Sequence, residues 1–521
     1  MELDATQVTS GETIEAELCI IGAGPAGLVV GAELAARGRD VVMLESGGGR
    51  NDSGAQALND GELVGDSYAG LRSTRCRGVG GTALLWNTAT PGGAGAKYVP
   101  LDPWDFAARH AEAPDGWPIS YDDLEPFYAR AQRCCGLGAL AYDASAWATQ
   151  PTDTRGAGAR LAPGACVPLP ASGGDVVSRV YQMGGRAALL DPLLATLRRS
   201  ASARLITGAS VVRLEVTRAG GVLTVARDGG DRWTVRARRV VLAAGAVENA
   251  RLLLLNAASG RGIEDRSGWL GRGFMEHPRD RALTLHLSAG ATHRDLAFYD
   301  AHRGGDGTTI VGRLALSASA AGDASDGALL NASATLLPIL RPGRARLRAA
   351  LGQRAGVLGR WLPAPGHGWS THPAAEHAFA GFTVLLNVEQ PPHRDNAIVL
   401  GGRRDAFGTP LPVLHWRWHA EDQARLGRLR RVMAGALERA GVGRVSIADA
   451  APDPNAHHHA GTTRMHVDAR RGVVDADCRV HGTESLFVAG ASCFPTAGFA
   501  NPVLTVVAMA LRLADHLDRG A

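Results

Sequence analysis

Short apolar runs alternate with helical stretches at the start of the chain. Residues 18–21 and 41–44 are apolar enough for buried strands, and a helical stretch between them runs through Leu34 and ends at Gly38. Glycine is the usual residue just after the last turn of a helix. An apolar strand, a helix and a second apolar strand in this order predict a parallel βαβ unit.

Two other patterns occur further along. Residues 240–244 form an apolar run that leads into Gly245, and a helical stretch follows over residues 247–255. Residues 282–287 and 383–388 instead alternate apolar and polar side chains, which is typical of antiparallel strands with one buried face. Together these patterns predict a doubly wound α/β half and a second, α+β half that is built on an antiparallel sheet.

Composition narrows the possible functions. The 521 residues carry 55 basic and 51 acidic side chains, a formal net charge of +4, and Lys97 is the only lysine. Because acids nearly balance the arginines, we expect no nucleic-acid binding. No apolar run reaches the roughly 18 residues of a membrane span, and the start has no secretory pattern, so we expect no membrane association. Seven scattered cysteines suit the cytoplasm.

A glycine-rich loop follows the first strand as Gly22-x-Gly24-x-x-Gly27, with Pro25 and Ala26 inside it. In a dinucleotide site the glycines permit a tight turn, backbone approach to a pyrophosphate and close packing of helix on strand. Glu45 ends the next strand, near the spacing of about 20 residues expected for a carboxylate that accepts from ribose hydroxyls. The loop in this setting predicts a dinucleotide site.

The last 70 residues carry a family resemblance. They contain His458-x-x-Gly461-Thr462 and Asn501-Pro502-x-x-Thr505, and through these motifs the sequence resembles the glucose–methanol–choline (GMC) flavoprotein oxidoreductases. The resemblance implies FAD as the cofactor. Further segments that match the family in order are residues 78–82, 116–128, 271–278, 475–482 and 486–496.

The resemblance also implies a domain organisation. A discontinuous Rossmann-type FAD-binding domain would comprise residues 1–95, 200–275 and 455–521. A substrate-binding domain with an antiparallel sheet would comprise residues 96–199 and 276–454. The predicted fold class is therefore α/β with an α+β second domain.

Oxidation of an alcohol by hydride transfer to the flavin N5 needs a base for the hydroxyl proton and a polar group that orients the substrate oxygen. Histidine suits the first role because its ordinary pKa lies near about 6.5. The resemblance assigns these roles to His458 and Asn501. An alternative role for Asn501, compatible with the first, is the N-cap of a helix over residues 503–513.

The cofactor contacts predicted from the sequence come from widely separated parts of the chain. They are Gly22, Gly24, Pro25, Ala26, Gly27, Glu45, Gly80, Gly81, Trp86, Asn87, Thr88, Val211, Ala244, Gly245, Gly490, Ala491 and Pro502.

One position departs from the nearest branch of the family. Residues 80–91 resemble the flavin-contacting segment of pyranose 2-oxidases, in which a histidine directly before the tryptophan carries the covalent flavin bond. Leu85 stands at that place, before Trp86, and has no nucleophilic atom. We therefore expect non-covalent FAD.

Several other residues invite a functional role. His457 and His459 share one side of an extended segment and His458 the other, so we expect no metal site. We expect His277, His466 and His481 to be structural. Gln390 follows the strand at residues 383–388, where it either bonds the substrate or ends a solvated strand. The stretch from Arg341 to Arg360 is either a basic lid or a solvated surface segment.

The resemblance to the pyranose-oxidising branch implies a small-molecule substrate: a sugar or glycoside hydroxyl is oxidised to a ketone, with oxygen or a quinone as electron acceptor. Three alternatives stay open. One is a lyase that keeps FAD as a structural group and uses His458 as a base. A second is an oxidoreductase of a non-sugar alcohol. A third is a flavin-binding protein without turnover, against which His458 and Asn501 argue.

Overall fold

The computed structural model describes the chain except residues 49–51, 91, 111–112, 114, 149–167, 170–173, 218, 261, 305, 322–328, 344–368, 371–377 and 521. Most of the arginine-rich stretch from Arg341 to Arg360 therefore lies outside the described residues, as does Pro91.

The strands are β1 Glu2–Asp4, β2 Thr13–Ile21, β3 Val41–Glu45, β4 Glu62–Gly65, β5 Thr88–Thr90, β6 Gly93–Tyr98, β7 Val176–Gly185, β8 Ala203–Thr207, β9 Ser210–Thr217, β10 Gly220–Ala226, β11 Arg232–Leu242, β12 Arg279–Leu287, β13 Ala301–Arg303, β14 Thr309–Leu316, β15 Ala332–Leu340, β16 Phe379–Val388, β17 Ala397–Arg404, β18 Pro410–Trp416, β19 Gly443–Ile447 and β20 Leu486–Val488.

The α-helices are α1 Pro25–Ala36, α2 Ser53–Ala57, α3 Leu71–Thr74, α4 Tyr121–Cys134, α5 Ser145–Ala148, α6 Arg186–Arg199, α7 Gly245–Ala258, α8 Ala318–Ala321, α9 Ala420–Arg439 and α10 Val503–Arg519.

The first sheet has the strand order β1-β8-β3-β2-β11-β10-β9, with β20 also paired to β11. Its centre is parallel: Leu18 pairs with Val41, and Val241 pairs with Ile20. The paired segments at this centre, residues 18–21, 41–44 and 240–242, are apolar and buried, as is typical of parallel sheets that are covered on both faces. Helix α1 packs against α6 and α10. The predicted βαβ unit is thus present, with β11 beside it.

The second sheet is antiparallel and has the order β19-β12-β16-β15-β14-β7-β6-β5, with β13 beside β14. The two alternating segments predicted as antiparallel strands are its neighbours β12 and β16, and Thr284 lies opposite Thr383. Helix α9 covers one face, where Arg430 donates to the buried carboxylate of Asp280 at 2.8 and 2.9 Å. The fold class predicted from the sequence is confirmed.

A third, three-stranded sheet has the order β17-β18-β4. Strand β4 and strand β5 lie within the first stretch predicted for the FAD-binding domain, yet they join the third and second sheets. All strands of the first sheet fall within the three predicted stretches. The domain boundaries themselves stay a prediction.

No helix in the described part of the chain has both the length and the apolar composition to cross a membrane.

Candidate active site

A cavity of about 450 Å³ lies between the first two sheets. Its wall includes Ile21, Glu45 and Ala243, which stand at the carboxyl ends of three parallel strands, and Ala96 and Arg279 from the antiparallel sheet. Ligands of open α/β sheets bind at the carboxyl ends of the strands. The cavity therefore lies where the fold places a cofactor.

The glycine loop leaves room for a phosphate group at the start of α1. Gly22 has φ 103°, and a Cβ there would lie 2.6 Å from the carbonyl oxygen of Ala243. A Cβ on Gly24 would meet nothing nearer than the Cα of Gly81 at 3.9 Å. No side chain caps the helix at Gly24. The first N–H groups of α1 are therefore open to the cavity, which suits a pyrophosphate.

Glu45 joins three loops around this site. Its carboxylate accepts hydrogen bonds from the backbone N–H groups of Ala23 at 2.8 Å, Gly47 at 3.0 Å and Gly78 at 2.9 Å. Burial raises the pKa of Glu45, and these bonds act against that rise. The Ser46 hydroxyl also lies 3.5 Å from Oε1, whereas Oε2 accepts only from Ala23. Since a carboxylate oxygen has two acceptor positions, Oε2 can still accept from a ribose hydroxyl. The structural role of Glu45 was not predicted.

The cavity wall contains most of the residues that the sequence assigns to the cofactor. On the wall lie Gly22, Gly24, Pro25, Ala26, Glu45, Gly81, Trp86, Asn87, Thr88, Val211, Ala244, Gly245, Gly490, Ala491 and Pro502, together with His458 and Asn501. Gly27 and Gly80 are not on the wall: Gly27 packs against Gly22, and the Gly80 N–H donates to the carbonyl of Ala23 at 2.8 Å. These two glycines shape the loops behind the wall.

Leu85 also lies on the cavity wall, beside Trp86. The Trp86 ring stands edge-on to that of Tyr98, with centroids 6.1 Å apart. Residues 85–88 thus face the space in which a flavin ring would lie. The residues present fit FAD, since open N–H groups, a ribose acceptor and an apolar slot line one continuous cavity.

His458 is held by two contacts from the segment before β12. Its backbone N–H donates to Glu276 Oε2 at 2.9 Å, and its Nδ1 lies 3.1 Å from Nδ1 of His277. Burial lowers the pKa of His458 well below its usual value, and the neighbouring His277 and Arg279 lower it further. His458 is therefore neutral at pH 7 and able to accept a proton.

The partners of His277 determine which nitrogen of His458 accepts that proton. His277 Nε2 lies 3.2 Å from the carbonyl oxygen of Ala497, and a carbonyl can only accept, so Nε2 carries the hydrogen. Burial lowers the pKa of His277 to about 4, so its Nδ1 is an unprotonated acceptor. His458 must then donate from Nδ1, which leaves the lone pair on its Nε2. His277, expected to be structural, contacts the proposed base directly.

Glu276 connects the histidines to Tyr68. Tyr68 donates a short hydrogen bond to Glu276, and its hydroxyl also lies 2.9 Å from His459 Nε2. Burial raises the pKa of Glu276 to about 7, against the effect of its hydrogen bonds from Tyr68 and from the backbone of His458. The ionisable carboxyl of Glu276 thus contacts the backbone of the proposed base His458. Glu276 and His277 belong to the matched segment 271–278, whereas no sequence signal pointed to Tyr68.

His457 has a left-handed backbone, with φ 63°, so the segment is not extended there as the expectation assumed. Glu276 joins His457 and His459 from a distant part of the chain. One ligand atom from each of these three residues lies within 4.8 Å of the others. The sequence spacing gave no sign of this carboxylate, because Glu276 is far away along the chain. Its oxygens already accept from Tyr68 and from backbone N–H groups. The absence of a metal site stays a prediction.

Asn501 lies on the cavity wall directly before α10. The helix begins at Val503 with Pro502 as the N-cap residue, and no side chain caps it. The predicted helix over residues 503–513 is thus the first part of α10, and Asn501 is not its cap. The amide of Asn501 and the partial positive charge of the helix N-terminus both face the cavity.

Gln390 requires a correction. It is fully buried, its Oε1 accepts from the Glu276 N–H at 3.0 Å and from Trp416 Nε1 at 3.1 Å, and its Nε2 donates to the Arg417 carbonyl at 3.2 Å. Gln390 is not on the cavity wall. It is neither a substrate ligand nor a solvated strand end, because its amide ties the strand end to its neighbours.

Three arginines on the cavity wall were missed. Arg75, Arg77 and Arg251 surround the carboxylate of Glu248 at 2.6, 3.0 and 3.2 Å. The Arg77 charge, followed by those of Arg251 and Arg75, holds the pKa of Glu248 low against the effect of burial. Arg75 and Arg77 lie on one segment and Arg251 lies with Glu248 on α7, so the sequence spacing could not reveal that these two distant segments meet. Asp405 also pairs with Arg251, at 2.6 Å, so the three arginines and two carboxylates leave one excess positive charge on the cavity wall, which suits a cofactor with phosphates.

Two segments of the chain match known protein families. Residues 15–59 match an FAD binding domain, and residues 392–510 match the C-terminal GMC oxidoreductase family. The second match contains both His458 and Asn501. These two matches, with the relatives below, support a GMC-family FAD oxidoreductase. The protein is therefore an oxidoreductase, and the two families imply FAD as the cofactor.

Relatives of this GMC oxidoreductase match it over nearly the whole chain. It is 27% identical to 6'''-hydroxyparomomycin C oxidase of Streptomyces lividus over 97% of this chain and 93% of the relative. It is 26% identical to paromamine 6'-oxidase of Streptomyces fradiae over 96% and 90%. The structure of pyridoxine 4-oxidase from Mesorbium loti aligns with a TM-score of 0.57 at 19% identity, covering 97% of this chain and 99% of that one. At that identity the alignment supports the fold alone.

Proposed function

We propose that this GMC oxidoreductase oxidises a secondary alcohol of a sugar or glycoside to a ketone. His458 is the base, and Asn501 orients the substrate oxygen. The observation that carries the proposal is the chain of contacts from Ala497 through His277 to His458, because it leaves an unprotonated nitrogen on a neutral imidazole at the cavity. Such a nitrogen is what the removal of a hydroxyl proton requires.

In the proposed reaction the substrate hydroxyl donates its proton to His458 Nε2. FAD bound in the cavity would supply the acceptor for the hydride from the carbon of the same alcohol. The imidazolium that forms keeps its Nδ1–H on the neutral His277, so it does not have to reorganise. Asn501 donates from its amide to the substrate oxygen and fixes the direction of the C–H bond.

Three observations support this substrate class. Two of the near-full-length relatives are named as oxidases of 6'''-hydroxyparomomycin C and of paromamine, which supports a sugar or glycoside hydroxyl. The secondary position is part of the proposal and rests on the resemblance to pyranose 2-oxidases. Residues 80–91 resemble the flavin segment of pyranose 2-oxidases. The cavity, with polar groups at His458, Asn501 and Arg279, can offer several hydrogen bonds to a polyol.

The remaining assignments belong to the same proposal. The cofactor contacts are the predicted residues on the cavity wall, and the domain division is the one predicted from the sequence.

FAD is bound without a covalent link because Leu85 offers no nucleophile. Acid precipitation of the holoenzyme should then release all flavin into the supernatant. A yellow pellet would mean that another group, such as Cys76 or a histidine of the cavity wall, attaches it.

The test is an anaerobic absorbance titration of the holoenzyme with sugars, glycosides and simple alcohols. Bleaching of the oxidised-flavin band at roughly 450 nm would establish hydride transfer and identify the substrate class. His458→Ala should abolish this reduction, by about 10² to 10⁴ in rate, and keep FAD bound. The exposed His286 supplies the control variant His286→Ala. Flavin that stays oxidised with every compound would favour the lyase alternative.

A further inference from the structure

The antiparallel sheet has one face covered by α9 and one face towards the cavity. On the covered face lie Asp280, bound by Arg430, and Leu314, which packs near α9. Side chains alternate between faces along a strand. Arg279 therefore belongs to the opposite face, and it does line the cavity.

The strand register gives the other residues of this cavity-side face. Arg279 is opposite Asn387, which is opposite Ser333; Ser333 is opposite Ala315, and Ala315 shares its face with Arg313. Val311, on the same face of β14, is opposite Tyr181. Met183, next on that face of β7, is opposite Lys97. The row across six strands is thus Lys97, Tyr181, Arg313, Ser333, Asn387 and Arg279, and we call it the basic row.

Three members of the basic row are cations, and none has a carboxylate partner among the described residues. The guanidinium carbon of Arg313 lies 5.2 Å from the centre of the Tyr181 ring and 4.7 Å from that of Phe499. Arg313 is fully buried, and its Nη1 and Nη2 have no hydrogen-bond partner. Lys97 Nζ lies 5.3 Å from the same tyrosine ring. By contrast, Arg179 on the same face is neutralised by Asp102 at 2.7 Å.

Neutral polar groups in the row also lack partners. The Tyr181 hydroxyl lies beside Ser333 and Asn387, yet neither it nor Ser333 Oγ makes a hydrogen bond of normal geometry. A buried polar group without a partner costs about 1–3 kcal/mol. Arg279 is the member of the row that lines the cavity, and several unpartnered polar groups on its face of the sheet indicate a ligand that supplies the missing acceptors.

Electrostatics ties the row to the proposed base. Burial, together with the smaller effect of the Arg279 charge, lowers the pKa of Lys97 to about 8. The same Arg279 charge contributes to the lowered pKa of His458. Arg279 therefore interacts electrostatically both with Lys97 and with the proposed base His458. Uncompensated positive charge at this place attracts an anion.

We propose that the basic row binds an anionic oxygen group, a carboxylate or a phosphate, on the substrate whose hydroxyl is oxidised at His458. The substrate is then an acidic sugar or another hydroxy compound with such a group. The inference rests on the proposed function, which it narrows. Lys97 and Arg279 contact the anion, and Arg313 contributes its charge and its free N–H groups from the centre of the row.

Because Lys97 is the only lysine, binding can be measured without turnover. Reductive methylation at pH 8 labels Lys97 and the N-terminus alone, and peptide mass spectrometry separates the two. Acetate and inorganic phosphate, at constant ionic strength, should each protect Lys97 in the holoenzyme in a saturable manner, while acetamide should not. Which anion protects at lower concentration identifies carboxylate or phosphate. Unchanged labelling with both anions would overturn the inference.

Turnover supplies the second measurement. Anaerobic flavin reduction should have a KM at least tenfold lower for D-glucuronate or D-glucose 6-phosphate than for D-glucose. Lys97→Met should remove this advantage, Lys97→Arg should keep it, and the exposed Arg198→Gln should leave it unchanged. A lowest KM for D-glucosamine would overturn the inference and leave the proposed function standing. Protection of Lys97 by anions with no flavin reduction by any compound would refute the proposed function and leave the anion site standing.

Discussion

The Nδ1 atoms of His277 and His458 lie 3.1 Å apart, and this contact fixes the tautomer of the proposed base. The contact requires one hydrogen between the two nitrogens. The Ala497 carbonyl places the other hydrogen of His277 on Nε2, so the shared hydrogen belongs to His458. A neutral histidine here has the positioning role that a carboxylate has in many histidine-dependent enzymes.

Replacement of His277 should therefore slow flavin reduction although His277 does not touch the substrate. His277→Leu removes the acceptor for the His458 Nδ1–H, so we expect a loss of at least tenfold in the rate of anaerobic reduction. His277→Gln offers an amide oxygen to His458 and an amide N–H to Ala497, so it should recover most of the rate. Equal rates for the two variants would show that His277 only fills space.

Glu276 should give the reaction its pH dependence near neutrality. Burial raises the pKa of Glu276 to about 7, so the carboxyl is neutral below that pH and charged above it. The negative charge lies beside His458 and makes its imidazole more basic. The rate of flavin reduction should therefore rise severalfold from pH 6 to pH 8. His458 itself stays neutral throughout this range because burial lowers its pKa well below the usual value of a histidine.

The variant Glu276→Gln distinguishes the effect of Glu276 ionisation on the rate from any effect of His458 ionisation. The amide keeps the shape and can still accept from Tyr68, but it cannot ionise. We expect a lower rate that is flat between pH 6 and pH 8, measured by stopped-flow absorbance. If the variant keeps the parent's rise near pH 7, the rise belongs to another group.

Asn501→Asp should slow flavin reduction. The aspartate adds a negative charge at the cavity, and hydride transfer to a bound flavin would place a second negative charge there. The variant should still fold, because Asp is favourable before a helix N-terminus. Asn501→Ser is the matched variant, since it removes the amide without adding charge. We expect Asp to be slower than Ser in single-turnover reduction. Equal rates would show that the amide matters and the charge does not.

The parts of the fold that were predicted are those with local signals. Residues 18–45 form a strand, a loop, a helix and a second strand. Their apolar periodicity and the spacing of Gly22, Gly24 and Gly27 predicted this order. The alternation at residues 282–287 and 383–388 shows that both are strands, and the structure makes them neighbours. These signals depend on residues a few positions apart, which a sequence displays directly.

The parts that were missed depend on residues far apart along the chain. Gln390 looked like an exposed strand end, but Glu276 and Trp416 bury it. Nothing in the sequence places Tyr68 beside Glu276, or three arginines around Glu248. The basic row exists only through the register of six strands. Long-range contacts of this kind are set by tertiary packing, which local patterns do not record.

Gly24 offers a test of the cofactor site that is independent of catalysis. Its φ of −76° suits any residue, and a Cβ there would have 3.9 Å to its nearest protein neighbour. Gly24→Ala should therefore fold normally. The added methyl group would stand where the open N–H groups of α1 meet the pyrophosphate, so FAD affinity should fall at least tenfold.

Gly402 is the matched control for this prediction. It lies on β17, away from the cavity wall, and a Cβ there would meet nothing within 4 Å. Thermal unfolding of the apoproteins should give nearly equal midpoints for Gly24→Ala, Gly402→Ala and the parent. Equilibrium titration with FAD should then separate Gly24→Ala from the other two. If Gly24→Ala binds FAD as tightly as Gly402→Ala does, the pyrophosphate does not approach the start of α1, and the placement of the cofactor is wrong.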